Sequence, residues 1–329
     1  MEGHLPLDTS GLNCPLDISN NKLFFSLVDY RNNYFTSNDP NKIIEFYKSF
    51  ESRDQLIEWM KERPKGVTNI FEVEGSNEII VVIPTSDFNG KHAKECRENI
   101  FKGLHMVFVE SGGKEDFYFN YAHNCNMGIK KAMEYNPKWI VVSNDDMYKI
   151  DEISKLTENL LNLDESKFDA VFTEPSKYHS IPYMYGEKNY LYKVASTGLS
   201  IFNGDIGWNP KIQKQLKKFG VDLLWIKRNL LYKLLIRKRS YFILTSDFAI
   251  VSRKYYSETS GVIFDETYIN DAEDVELSVK LAQKGRTSTF IDYKIGDYSG
   301  STIGVNTKRY IRTICTRVYL DKRAKEYFI

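Results

Sequence analysis

The chain has 329 residues, 45 Lys and Arg against 44 Asp and Glu, 42% hydrophobic and 14% aromatic content, which excludes a disordered tail, a collagen-like chain and a disulfide scaffold. At about 150 residues per domain, this is one large domain or two fused ones. Cys14, Cys96, Cys125 and Cys315 form no CxxC pair, no charged-then-apolar leader follows Met1, and no apolar run approaches the ~20 residues of a spanning helix, so the expectation is a cytoplasmic protein.

Residues 1–40 carry scattered Pro, Asn, Asp and Ser with no sustained period and read as an irregular arm. From Asn41 to Glu62 the pattern is helical in two pieces. Ile43, Phe46, Tyr47 and Phe50 share one face, Leu56, Ile57 and Met60 repeat it, Ser52 with Gln55 resembles a capping box, and Pro64 bounds the second piece. After residue 77 short strands alternate with helices. Ile79-Ile80-Val81-Val82-Ile83 is a β-branched run that Pro84 is expected to stop, a helix follows from His92 to Lys102, and His105–Glu110 is the next strand. A helix over Phe117–Tyr135 leads to the run Trp139–Val142, then comes a helix starting near Asp151 and a strand at Ala170–Phe172. Such alternation predicts an α/β fold with a largely parallel, doubly wound sheet, whose ligands bind outside the carboxyl ends of the strands.

Three strand ends carry polar residues: Pro84-Thr85-Ser86, Glu110-Ser111-Gly112-Gly113 and Asn144-Asp145-Asp146. Two successive acids after a buried strand are costly unless they are solvated, cap a turn or meet a cation. Capping is one reading of Asp145 and Asp146; the other is a hard-oxygen site for Mg²⁺ or Mn²⁺ beside a diphosphate. Neither a P-loop nor a GxGxxG sequence occurs in the chain. A second acidic block, Asp265-Glu266 and then Asp271-Ala272-Glu273-Asp274-Val275-Glu276, opens a helix expected to end at Gly285. Acids there also suit the helix dipole, so plain capping is the competing reading, above all for Asp271 and Glu276.

The order of these features resembles a glycosyltransferase of the GT-A fold, close to family 2 of inverting nucleotide-sugar enzymes. Ile83-Pro84-Thr85 is similar to the first strand, and Asn126-Met127-Gly128-Ile129 with Ala132 to the N-x-G-I…A helix. Asn144-Asp145-Asp146 is similar to the DxD-type element, and Gly261…Glu273-Asp274…Gly285 to the acceptor-side block with its ED motif. The likeness covers roughly residues 78–305. It implies a doubly wound mixed sheet with flanking helices and an N-terminal helical extension. The expected segments are an arm and extension at 1–76, a nucleotide-sugar half at 77–205, a basic insertion at 206–245, an acceptor half at 246–305 and a basic tail at 306–329. It further implies Pro84, Thr85, Glu110, Asn126 and Asp145 at the nucleotide sugar, Asp146 and Asp297 on Mn²⁺ or Mg²⁺, and Asp274 as general base with Glu273 beside it. Departures are Glu110 where the family more often has Asp, Ser111-Gly112-Gly113 in place of its polar run, and Asp297 where it often has His. His123, beside Asn124, either approaches the diphosphate or packs structurally.

From Lys211 to Arg239 ten cations face one acid, Asp222, so this segment carries +9 and the remainder −8 of the net +1. Leucines recur among the cations at three and four, which describes an amphipathic helix with a solvated basic face. The same helix would also suit an anionic membrane surface, placing the protein peripherally at the inner membrane face near a glycan or lipid-linked acceptor. Nucleic acid fits less well, because leucines stack poorly on bases. The tail from Lys308 holds seven cations and two acids. Two rival readings stand beside the transferase: a catalytically silent membrane-associated scaffold or binding protein on the same fold, and a sugar nucleotidyltransferase. The second normally needs a Gly-rich, cationic N-terminal loop, and Pro84–Gly90 is not one.

Overall fold

The computed structural model describes residues 31, 39–112, 118–174, 178–180, 215, 218–220, 242–244, 247–269, 272–284, 288–298, 315–316, 318–323 and 326. The irregular arm, Asp271, Gly285 and most of the basic segment 211–239 lie outside the described residues, as does much of the basic tail.

The N-terminal helices form where the capping chemistry places them. Helix α1 (Pro40–Lys48) opens on Asp39, whose carboxylate accepts the Asn41 N–H at 2.9 Å, with Pro40 in the first turn. Helix α2 (Arg53–Glu62) opens on Ser52, whose hydroxyl oxygen accepts from Gln55 N–H at 3.2 Å. The return bond from the Gln55 side chain reaches the N–H of Glu51 at 2.7 Å, one residue earlier than in a standard capping box. Arg63 turns to extended ψ before Pro64 and ends the helix.

A seven-stranded mixed sheet follows. Its strands are β1 (Asn69–Val73), β2 (Ser76–Thr85), β3 (Leu104–Glu110), β4 (Trp139–Ser143), β6 (Ala170–Glu174), β9 (Phe248–Ser252) and β10 (Ser288–Asp292). Their spatial order is β1-β3-β2-β4-β9-β6-β10. Strand β2 runs parallel to β3 and β4, and β6 parallel to β10. Strand β1 is antiparallel at the edge, while β9 is antiparallel between β4 and β6. The sheet is therefore mixed, less parallel than the alternation of strands and helices suggests. Strand β1 also brings residues 69–73 into the sheet, although the sequence groups them with the N-terminal extension.

The continuous apolar run of β2 has a direct cause. Ile80 and Val82 pack into one core with α4 (Tyr121–Ala132) and α7 (Glu273–Lys284), while Ile79, Val81 and Ile83 pack into the other with α3 (Lys91–Glu95) and α5 (Ile153–Leu161). Both faces are covered by helices, so no polar alternation is needed. Each such fully buried side chain contributes about 1.5–3 kcal/mol. Pro84 does not stop the strand: β2 continues to Thr85, and Pro84 pairs with Val109. Pairing with β4 has already ended at Val82 opposite Val142, so a residue without an N–H is tolerated there. The helix expected over His92–Lys102 is α3 followed by a π-helical turn, Cys96–Ile100, closed by Gly103 at φ 95°.

Smaller pairs complete the fold. Strand β5 (Met147–Lys149) pairs antiparallel with β11 (Ile295–Asp297), and β7 (Tyr178–Ser180) with β8 (Phe242–Leu244). A short helix, α6 (Arg253–Glu258), follows β9. A third core joins Phe46, Leu56, Trp59 and Met60 of the N-terminal helices to Tyr268, Ile269, Ala272, Cys315 and Tyr319. No helix among the described residues is long and apolar enough to cross a membrane.

Helix α4 lies unusually close to the sheet. A Cβ built on Gly128 would stand 2.4 Å from Val82 Cγ1 and 2.7 Å from Val109 Cγ2, so the glycine is required by contact. Gly128→Ala is expected to destabilise the fold by about 1–3 kcal/mol through overpacking, despite the roughly 1 kcal/mol gained in helix propensity. A second change, Val82→Ala, should recover part of that loss. Urea unfolding of the variants checks this, and an unchanged midpoint for Gly128→Ala would contradict it.

Candidate functional site

The parallel strands β2, β3 and β4 end together, and the polar residues after them meet. Thr85 pairs in register with Glu110, and its hydroxyl donates to Asp145 Oδ2 at 2.7 Å across 60 positions of sequence. The same hydroxyl oxygen accepts the Asp87 N–H at 3.3 Å, which turns the chain after β2. Glu110 accepts the Phe88 N–H at 2.7 Å and so fastens that turn to β3. Phe88 stacks on Phe71 with centroids 4.5 Å apart, and the Arg97 guanidinium lies 4.3 Å above Phe88 while donating to its carbonyl. Pro84, Thr85, Glu110 and Asp145 thus form one group.

Asp145 and Asp146 are only 5% and 4% exposed. The Cys96 thiol, the first residue of the π turn, donates to the Asp145 carbonyl at 3.4 Å. Burial raises that thiol's pKa above its usual value, and the carboxylates of Asp145, Glu95 and Asp146 raise it further, so it stays protonated as a donor. Asn144 is tied on two sides. Its N–H donates to the Asp247 carbonyl at 2.9 Å, and its side-chain oxygen accepts from the Tyr121 hydroxyl at 2.9 Å.

The β5–β11 ribbon continues past Asp146, whose carbonyl accepts the Tyr298 N–H at 2.9 Å. Asp297 stands opposite Met147 and is therefore one ladder position from Asp146, while Tyr298 is the residue across from it. Period-two alternation gives Asp297 the face of Met147 and not that of Asp146. Gly296 lets the Tyr148 ring lie over this ribbon, since a Cβ there would fall 2.0 Å from the ring and the side chain would have to move aside.

The second acidic block opens α7, which shares one core with α4. Glu273, 3% exposed, and Asp274 occupy the first turn of α7. Asp274 Oδ1 accepts the N–H of Val275 at 2.8 Å, and Ser278 donates to the Asp274 carbonyl at 2.7 Å. Just before them Ala272 has φ 68°, a left-handed conformation costly for alanine. Burial pushes the Tyr121 hydroxyl well above its usual pKa, with Cys125, Glu273 and Asp247 adding to the effect.

Helix α4 joins the two blocks. Its N-cap Asn120 donates to the carbonyls of Glu266 and Tyr268 at 2.8 and 3.0 Å. Asn126 uses both ends of its amide on the loop before α7. Its nitrogen donates to Phe264 O and Glu266 Oε1, and its oxygen accepts from the N–H groups of Ile263 and Phe264. In this structure Asn126 is a clamp between segments. His123 pairs with Glu266 at 2.9 Å, the packed role, and Glu276 is a buried partner of Arg323 and Lys280, which suits the structural reading of that acid.

The donor set is hard oxygen, the kind that suits Mg²⁺ or Mn²⁺. No group of three or more His, Cys, Asp and Glu side chains able to hold a metal occurs among the described residues. One or two carboxylates still match Mg²⁺, which keeps waters and takes its other oxygens from substrate phosphates. Residues that sequence reading gave no role are Tyr121, Asp247, Cys96 and the Phe88–Arg97 pair. Only the Asn120 cap has a local signal; the other contacts are tertiary. Comparison with protein-family models and with curated proteins finds no match to this chain.

Asn126→Leu keeps volume but leaves the buried N–H groups of Ile263 and Phe264 without their acceptor, which is expected to cost about 1–3 kcal/mol for each group left unsatisfied. Hydrogen exchange should accelerate at those two amides specifically. Unchanged exchange there would remove the clamp role.

Proposed function

We propose that this chain is a metal-dependent glycosyltransferase with a GT-A-like domain, moving a sugar from a nucleotide-diphosphate donor to an acceptor hydroxyl on a glycan or lipid-linked molecule. The observation that carries the reading is the buried carboxylate turn Asn144-Asp145-Asp146 at the end of β4, bonded to Tyr121, whose hydroxyl also feels the charge of Glu273 at the start of α7. The mixed strand order, with antiparallel β9 between β4 and β6, and the β5–β11 ribbon after the carboxylate turn support it further.

In this proposal Asp146 holds the cation, and Asp297, which shares the face of Met147, is not one of its ligands. A divalent cation, when bound, supplies positive charge against the diphosphate leaving group. Asp145, oriented by Thr85, takes the ribose side, and the turn at Asp87–Phe88, fastened by Glu110, borders the base. Asp274 takes the acceptor's proton while the acceptor oxygen bonds to the anomeric carbon. The bond from that carbon to the diphosphate oxygen breaks, its electron pair leaves with the nucleotide, and configuration inverts. Glu273, more deeply buried, stands beside the base. The basic segment 211–239 would bring the enzyme to an anionic membrane surface carrying the acceptor.

Calorimetric titration of UDP and GDP with Mn²⁺, with Mg²⁺ and with EDTA tests the donor site. One nucleotide should bind only with metal, and Asp146→Ala should abolish that binding. Equal binding in EDTA, or an unaffected Asp146→Ala protein, would contradict the metal site. With the matching nucleotide sugars, Asp274→Asn should retain donor affinity while nucleotide release falls about 10²–10⁴-fold. Undiminished release would remove Asp274 as the base.

A further inference from the structure

We infer that Tyr121 is a positioning residue of the candidate site, its hydroxyl holding the Asn144-Asp145-Asp146 turn in place against the head of α4. The inference rests on the proposed function for its consequence in ligand binding, though not for its effect on the turn.

Tyr121 is the first residue of α4, and that helix has little freedom to move. It contacts the sheet at Gly128, where there is no room for a methyl group, and Asn120, His123 and Asn126 bond it to residues 263–268. A phenolic hydroxyl at the head of such a strut is a fixed donor. It points to Asn144 Oδ1 at 2.9 Å, while the Asn144 backbone is held separately by the Asp247 carbonyl.

The other two residues of the turn have their own ties. Asp145 is held through Thr85 and Cys96, and Asp146 through Tyr298, so the bond from Tyr121 is what orients the side chain of Asn144 relative to α4. A phenylalanine would fill the same space and lose the hydroxyl's bond to Asn144 together with its contact to the Cys125 thiol. Burial with Cys125, Glu273 and Asp247 near the ring keeps the hydroxyl protonated, so it remains a donor throughout the ordinary pH range. Partners bonded directly to a metal ligand typically change metal-site affinity 10–100-fold when removed, and Tyr121, acting through Asn144 two positions before Asp146, is expected at the low end of that range.

The test uses the full chain with Tyr121→Phe, Asn144→Ala and both together. In the metal-free protein, amide exchange at residues 144–146 should accelerate about tenfold in each single variant. Mn²⁺-dependent affinity for UDP or GDP should weaken about tenfold. The effect of the double variant should fall short of the sum of the two single ones, because they share one bond, and strict additivity overturns the coupling. Unfolding midpoints near wild type would separate this from general destabilisation. If Tyr121→Phe fails to fold, Asn144→Ala, which removes the acceptor from a half-buried position, carries the same test. Wild-type exchange at 144–146 in the folded variants overturns the inference. Accelerated exchange in a protein that binds neither nucleotide supports the positioning role and refutes the proposed function.

Discussion

Two adjacent carboxylates, Asp145 and Asp146, are buried at the end of a strand that is itself covered on both faces, and much of the surrounding structure follows from holding them there. Charge withdrawn from water is expensive unless hydrogen bonds or an opposite charge replace the lost solvation. Around this turn the Thr85 hydroxyl donates to the Asp145 carboxylate, while the Cys96 thiol and the Tyr298 N–H hold the carbonyls of Asp145 and Asp146. Groups already in place need not reorganise when a charged ligand arrives, which is the property a diphosphate site requires.

Helix α4 transmits this order across the molecule. Its amino end touches the turn, its middle is pressed onto β2 and β3 at Gly128, and its polar face clamps residues 263–268. Behind that loop lies the third core, in which α1, α2 and the segment around Cys315 and Tyr319 close over Tyr268, Ile269 and Ala272. The N-terminal helices therefore support the segment that presents Glu273 and Asp274. A left-handed alanine at 272 persists because its surroundings are packed around it. The exposed ion pairs nearby, Lys322 with Asp54 and Arg53 with Asp321, add little by comparison.

How much of this is legible in the sequence differs by element. Strands β2, β3 and β4 announce themselves as β-branched runs because both faces are buried, and α2 announces itself through Ser52 and Gln55. Strand direction leaves no mark in an apolar run, so the antiparallel β9 and the edge strand β1 are not readable as such. Pro84 is misleading because a proline is tolerated where pairing on one side has already ended. The acidic pairs are visible as residues, and Thr85 beside Asp145 follows from the order of strands. Tyr121 is not visible, because its partner lies 23 positions away on another element. Asn126 is visible as a motif residue, yet its amide is spent on the loop before α7.

The central claim is that the turn after β4 and the start of α7 face one ligand. Paramagnetic broadening of backbone amide signals by Mn²⁺ in the presence of UDP or GDP tests it most directly. The account predicts that signals from residues 85–87, 144–146 and 272–275 broaden together at substoichiometric Mn²⁺. Broadening confined to one of these segments, or found elsewhere in the chain, would contradict a single site shared by both acidic blocks.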